Sequence, residues 1–475
     1  MTTRRTFSLL GLLILFFPAA LLARTNILTT GLSTTVDYDS PQYESAAVTT
    51  TEGGSVGAKK TDTRGDDSAN LVVRPLVRFL SESQDNTFEL RTAPAIKYDM
   101  LNEETGWDAD LSISAAQSMS KNWRMTASDA FIRSDNHNPQ YSGTLNATGQ
   151  DSQSTTPTLA ADRGRSLYWQ NTATLASEYT YAEESLVHLG IDYNVLRNDE
   201  TDVRSYEDYD RSTLNVRHQH RFNPVWKTGA DFSLVRGDFT TTGLQQALPE
   251  NQENKDLWEY HFLANVDNTV FLHHRISLNY TYIGTSYDED LLGDSQIHEM
   301  QLSWWHEFSP QLNTTLGAGP SYEKTTGQEA NVGGNGKAEI NYLIEKGRIS
   351  FGVEKGYDVD NFSGTGKRGV VDFWNSHLQF DYRLSENFSL NSQLTYRYED
   401  RQEPSATSTS TTNDLTEYNT EVITAGLGLR YAFMRYYSAG LNYTYTDQDS
   451  ERSGDDYYDH RLLLTLSWEQ EWLRW

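Results

Sequence analysis

Eleven histidines and a large excess of carboxylates are the side chains of this chain that could move protons or hold a metal. A membrane-embedded hydrolase would need a serine or aspartate within reach of a histidine, at one height on neighbouring elements. The histidines gather near turns instead: His218 and His220 precede Phe222, and His273 and His274 are adjacent. With Trp226, the first pair reads as a set of residues at a water–lipid boundary. Adjacent residues rarely aim at one ion, so His273 and His274 are a poor metal site. No lipase or protease motif accompanies them, and the chain reads as a non-enzyme. Asp358-Val359-Asp360-Asn361 lacks the glycine and the distal glutamate of an EF-hand loop. The absence of cysteine excludes structural disulfides, thiolate zinc sites and covalent haem attachment. No metal and no cofactor are expected on this chain.

The remaining chemistry is that of fixed charges beside a passage. Arg91, Lys97, Arg275, Asp381, Arg383, Arg397 and Glu399 each lie in a stretch whose alternate positions are apolar. In 87–100, Phe88, Leu90, Ile96, Tyr98 and Met100 alternate with Glu89, Arg91, Lys97 and Asp99. Trp374, Leu378, Phe380 and Tyr382 oppose Asn375, His377, Gln379, Asp381 and Arg383 in the same way. The clearest stretch is Arg275-Ile276-Ser277-Leu278-Asn279-Tyr280-Thr281-Tyr282, apolar at every even number. Successive side chains of a strand point to opposite faces, so each stretch has one greasy face and one wet face. Turning a Lys or Arg toward lipid at mid-membrane costs about 2–4 kcal/mol, which directs the charged face inward. The seven residues are therefore candidates to line a pore. Reversing Arg91 and Lys97 should favour cations, and Glu at Leu278 or Phe380 should impair insertion. Ion pairs that stiffen the wall are the competing use of the same charges.

Elements of this kind need a closed sheet, because lipid supplies no partner for a free backbone edge. Nine short turns recur, near 84–86, 119–123, 182–184, 222–226, 272–274, 308–312, 345–347, 384–388 and 434–436. Four of them, 119–123, 222–226, 308–312 and 384–388, set a polar turn between two large apolar residues, as in Phe222-Asn223-Pro224-Val225-Trp226. Longer polar connections fall at 40–68, 137–165, 241–255, 325–336 and 402–415. Nine hairpins, a last strand and a first one from Leu28 to Asp39 predict an all-β, single antiparallel transmembrane barrel of about 20 strands, with short periplasmic turns and long acidic outer loops. If Leu28 to Asp39 is a plug instead, about 18 strands is the alternative. At the C-terminus, Leu462, Leu464, Leu466 and Trp468 keep one register and Trp475 falls in the other. That requires a bulge, or a strand that stops near Trp472.

The N-terminus reads as a secretory signal over 1–23: Arg4 and Arg5, an apolar run from Phe7 to Phe17, and cleavage expected after Ala23. Residues 24–475 would form the barrel, located in a bacterial outer membrane. The 39 basic and 66 acidic residues, net −27, make nucleic acid an improbable partner. The expected partners are outer-membrane lipid and lipopolysaccharide, and the barrel-assembly machinery acting on the C-terminal strand.

The closing hairpin, 437–450 and 456–468, resembles the end of a family of outer-membrane β-barrel porins often found in exopolysaccharide and exosortase (PEP-CTERM) loci. Tyr209-Asp210-Arg211-Ser212-Thr213-Leu214-Asn215 is similar to the same loop-to-strand joint. The resemblance implies a conduit for exopolysaccharide export or a related secretion system, with export proteins as partners. The residues alone leave three other readings open. These are a diffusion porin for small solutes, a sheath around a multihaem cytochrome, and a structural or adhesive barrel.

Overall fold

The alternating stretches form strands that pair in chain order and close on themselves. The structure, a computed structural model, describes residues 24–43, 67–136, 159, 166–199, 206–241, 255–288, 293–364, 367–404, 415–452 and 455–475. The expected signal segment and the centres of several long connections lie outside the described residues. The strands are β1 (Thr25–Tyr43), β2 (Ser68–Glu82), β3 (Asn86–Thr92), β4 (Ala95–Asp99), β5 (Glu104–Ser120), β6 (Trp123–Ser134) and β7 (Tyr168–Ala182). Then follow β8 (Ser185–Asn198), β9 (Glu207–Arg221), β10 (Trp226–Thr241), β11 (Leu257–Phe271), β12 (His274–Tyr287), β13 (Ser295–Ser309) and β14 (Leu312–Thr325). The last are β15 (Asn331–Ile344), β16 (Gly347–Val359), β17 (Val370–Ser385), β18 (Phe388–Pro404), β19 (Leu415–Phe433), β20 (Tyr437–Ser450) and β21 (Tyr457–Arg474).

β3 and β4 are two halves of one wall position. Both pair with β2 on one side and β5 on the other. Ala93-Pro94 separates them, since proline has no N–H to give the ladder. Twenty positions therefore make the ring, and β1 closes it by pairing with both β2 and β21. The stretch from Leu28 to Asp39 is thus a wall strand. The register of β21 shifts opposite Leu28 and Thr29, where Leu473 and Glu471 are partnered and Trp472 is passed over. This bulge answers the register conflict of Trp475.

All nine short turns lie at one end of the barrel, with Thr25 at the start of β1 and Arg474 at the end of β21. One expected connection is shorter than the sequence suggested. Residues 331–336, glycine-rich and read as loop, extend β15 along β14 up to Glu323 paired with Asn331. Pairing with a formed neighbour outweighs the weak strand propensity of glycine.

The outer face is apolar. Ile276, Leu278 and Tyr280 of β12, Leu302 of β13, Phe351 of β16, Leu378 of β17, Leu394 of β18 and Leu464 of β21 are all exposed. A soluble sandwich would bury such residues, whereas a lipid-facing wall needs them outside. Aromatic residues mark its two rims, among them Trp107, Trp169, Trp258 and Trp374 above and Trp123, Tyr181, Trp226 and Tyr431 below. His218 and His220 sit on the lower outward rim, hydrogen-bonded to the Tyr181 hydroxyl at 3.0 and 2.9 Å. Mid-way between the rims, a described carboxylate also faces outward. Asp129, mid-way along β6, pairs with Ile113 and Ala173 on the outward face. The Asn171 amide donates to it at 2.6 Å, supplying a donor that lipid cannot.

Candidate functional site: the lumen and the strap across its outer end

The inner face alternates with that outer wall and is lined by hydroxyls, amides, glycines and charges of both signs. Ser277, Asn279 and Thr281 of β12 alternate with its exposed apolar residues. Asp192 of β8 accepts from Thr174 at 2.8 Å and Asn215 at 2.6 Å. Asp231 of β10 is ion-paired with Arg217 of β9. A ring of twenty strands is too wide for its own side chains to fill, so these groups border a lumen.

All seven residues singled out above point to this inner side, at scattered positions around the ring. Five of them are ion-paired. Arg91 (β3) meets Asp110 at 2.8 Å. Lys97 (β4), only 7% exposed, sits between Asp108 at 2.9 Å and Asp135 at 2.7 Å. Asp381 (β17) faces Arg348 at 3.8 Å and accepts from the Gln379 amide at 2.9 Å. Arg397 and Glu399 (β18) are brought together, with Arg401 on the far side of Glu399 at 2.7 Å. Arg397 also reaches Asp358 at 4.0 Å and lies over the Phe373 ring at 4.6 Å. Arg275 (β12) stacks 5.7 Å from the Trp305 ring. Among the described residues, neither Arg275 nor Arg383 has an ion pair.

The sequence reading missed the β16–β17 connection. β16 and β15 part above the pair Lys355 and Gly336. Beyond it β16 stays paired with β17 as far as Val359 and Val370, and this end of the hairpin meets β13, where the Tyr357 N–H donates to Glu299 at 3.1 Å. Tyr357 packs there with Ile297 and Val370. Residues 360–364 and 367–369 then lie across the outer end of the lumen. Asp360 is held by Arg401 of β18 at 3.0 Å, and burial pushes its carboxyl above the usual range against the pull of that guanidinium. Asn361 donates to Glu259 of β11 at 2.7 Å and accepts from the Tyr287 hydroxyl of β12 at 3.1 Å.

Phe362 enters a buried apolar cluster with Leu159, Tyr168, Leu196, Tyr209, Val235 and Leu257. It meets Tyr209 edge-on at 5.3 Å and stacks on Phe239 at 5.2 Å. Gly237 makes room for it, because a Cβ there would stand 2.8 Å from the Phe362 ring. Lys367 pairs with Asp455 of the β20–β21 connection at 3.0 Å. Arg368, its neighbour, binds Glu207 at the start of β9, with Nε donating at 3.1 Å, and lies 3.6 Å from the Phe239 ring centroid. Lys255 shares Glu207 at 2.9 Å. In ring order β9 and the β20–β21 connection are nearly opposite, so two consecutive residues bridge the two sides of the mouth.

No protein-family model matches the sequence, and no curated protein does. Solved structures do. The chain is similar to the ferric enterobactin receptor of Pseudomonas aeruginosa in complex with enterobactin, with TM-score 0.50 and 9% identity over 93% of this chain and 81% of that one. A siderophore receptor of Acinetobacter baumannii gives TM-score 0.48 and 9% identity over 93% and 80%. OpdL of Pseudomonas aeruginosa gives TM-score 0.41 and 9% identity over 94% and 99%. At such identity the likeness concerns the fold, that of an outer-membrane β-barrel.

Proposed function

We propose that this chain is an outer-membrane conduit for a hydrophilic solute, and that the solute is an exported exopolysaccharide. The observation that carries the conduit is the division of each strand, apolar outward and hydrogen-bonding inward, around a ring of twenty positions. A sugar chain needs water or side-chain partners for its hydroxyls along the whole path, and amides, hydroxyls and charges of both signs supply them. The polysaccharide rests on the closing hairpin, whose joints resemble those of barrels from exopolysaccharide loci. Deleting the gene in its host should abolish most surface polysaccharide and leave polymer in the periplasm, with recovery on complementation. Unchanged surface polymer would discard export and leave a conduit for small solutes, the reading favoured by a lumen of mixed sign.

Within the conduit reading, charges without ion partners should set ion preference, since a paired charge is already offset by its neighbour. Arg275→Glu with Arg383→Glu should move the reversal potential under a salt gradient toward cations, with folding yield near wild type. Reversing Lys97 should instead reduce yield, because it would press a third carboxylate between Asp108 and Asp135. A reversal potential that ignores Arg275 and Arg383 would remove both from the pore-lining set.

A further inference from the structure

We infer that Arg275 and Trp305 form a docking site for an acidic sugar unit at the periplasmic end of the lumen. The inference rests on the conduit reading and narrows its cargo to a carboxylate-bearing polysaccharide. The two residues are direct partners in the β12–β13 ladder, so they share the inner face. Arg275 is the second residue of β12, and Trp305 lies four residues before the end of β13, both near the short turns. Trp123 and Trp226 stand exposed on the lower outward rim, where a lipid boundary accounts for them. Trp305 has no such account, because its face of the wall borders water.

Neither side chain is used by the wall. The indole N–H of Trp304 donates to His274 at 3.2 Å, and that of Trp123 to the Ser177 hydroxyl at 2.9 Å. Among the described residues, the Trp305 N–H has no acceptor. Other lumen arginines are held by acids: Arg91 by Asp110, Arg217 by Asp231 and Arg397 by Glu399. Arg275 is exposed and has neither an ion pair nor a hydrogen bond to a described residue. The nearby carboxylates are engaged elsewhere. Asp267 of β11 accepts from Ser277 at 2.5 Å, and Glu307 of β13 meets His273 at 3.3 Å. The guanidinium stands 5.7 Å from the Trp305 ring centroid, which leaves its donor fork free to turn to a ligand. A uronate matches the pair. Its carboxylate accepts two parallel N–H bonds from the fork, while the apolar face of its ring packs on the indole and a hydroxyl takes the N–H. A neutral sugar would satisfy the indole alone, and a simple anion the guanidinium alone.

Calorimetric titration of the detergent-solubilised full chain tests this, with a galacturonate hexamer as the acidic probe and maltohexaose as the neutral one. Each form is first shown to be folded by heat-modifiable mobility. Wild type should prefer the acidic hexamer by about tenfold or more, the scale of a charge-assisted hydrogen bond. Arg275→Gln and Trp305→Ala should each weaken the acidic hexamer by a similar factor, whereas Trp305→Phe, which keeps a ring face, should retain most of the affinity. Arg430→Gln removes another exposed cation from the inner face, on β19 well round the ring, and should change nothing. Four results would overturn the site: no binding by wild type, equal binding of the two hexamers, equal affinities in wild type and both site variants, or an equal loss with Arg430→Gln. Lost surface polymer on gene deletion, found beside any of these, would leave the conduit standing. Intact surface polymer beside selective binding would instead discard export and keep the site.

Discussion

Replacing Leu378 with arginine is expected to cost about 2–4 kcal/mol of barrel stability and to remove most of the chain from the folded, heat-modifiable band. Gln379→Arg, one residue along, should fold like wild type. Leu378 is 42% exposed, and its direct partners on β16 and β18 are Phe351 and Leu394, also exposed. It lies midway between Trp374 and Tyr382 on one face of β17, four residues from each. That separation is about 13 Å along the strand, beyond the reach of a guanidinium seeking either boundary. Gln379 points the other way, where its amide already donates to Asp381 at 2.9 Å. An arginine there would meet that carboxylate and lumen water. Outer-membrane yield and mobility on unheated gels read the result. Tolerance of Leu378→Arg with loss of Gln379→Arg would invert the facing of the wall, and every inward residue named here with it.

The wall was legible in the sequence because its signal is local. Period-two alternation needs only the strand itself, and Arg275 to Tyr282 shows it without a partner in view. The short turns at 119–123, 222–226, 308–312 and 384–388 were legible for the same reason, combining Ser, Asn or Pro with flanking apolar residues. The ring closed as expected once Leu28 to Asp39 was counted, since parity ties the strand number to the positions of the ends. Two departures came from pairing with a neighbour, which one strand cannot report. Asn331 to Gly336 joined the sheet because β14 offered a ladder, and Trp472 was passed over because β1 imposed a register. Asp129 faces outward because its parity on β6 is set by Trp123 and Phe131, and Asn171 meets it from another strand.

The strap was illegible for a deeper reason. Its partners lie on β9 to β12, on β18 and on the β20–β21 connection, far apart in sequence. One signal was available. Asn361-Phe362-Ser363-Gly364 and Lys367-Arg368-Gly369 place an aromatic ring and two adjacent cations in an outer connection, whereas 288–290 and 455–459 are acidic. In a chain of net −27, a basic connection among acidic ones has partners on every side. The charges of the lumen wall divide along the same line. Arg91, Lys97, Arg397 and Glu399 pair within one or two strand positions of their own and brace the wall. Lys367 and Arg368 pair across the mouth, with Asp455 and Glu207.

The β1–β21 seam should be the place where the barrel opens first, and Arg461→Ala should open it at a cost of roughly 3–5 kcal/mol. Every other wall contact joins strands close in sequence, whereas this one joins the first strand to the last and carries the largest loop-closure entropy. Arg461 grips Asp37 as a fork, Nε to Oδ1 at 3.0 Å and Nη2 to Oδ2 at 2.8 Å, with side chains only 11% and 7% exposed. Asp39 pairs with Arg461 in the ladder and Asp459 stands two residues before it, so the guanidinium sits among three carboxylates. Removing it leaves Asp37 without its bidentate partner and the three acids facing one another. Replacing both Arg461 and Asp37 by leucine should recover most of the loss, because a buried pair exchanged for apolar packing is often neutral. Urea midpoints of the two single variants and the double variant, read by gel mobility, give the coupling between the two residues. Single and double variants of equal cost would show that the pair does not brace the seam.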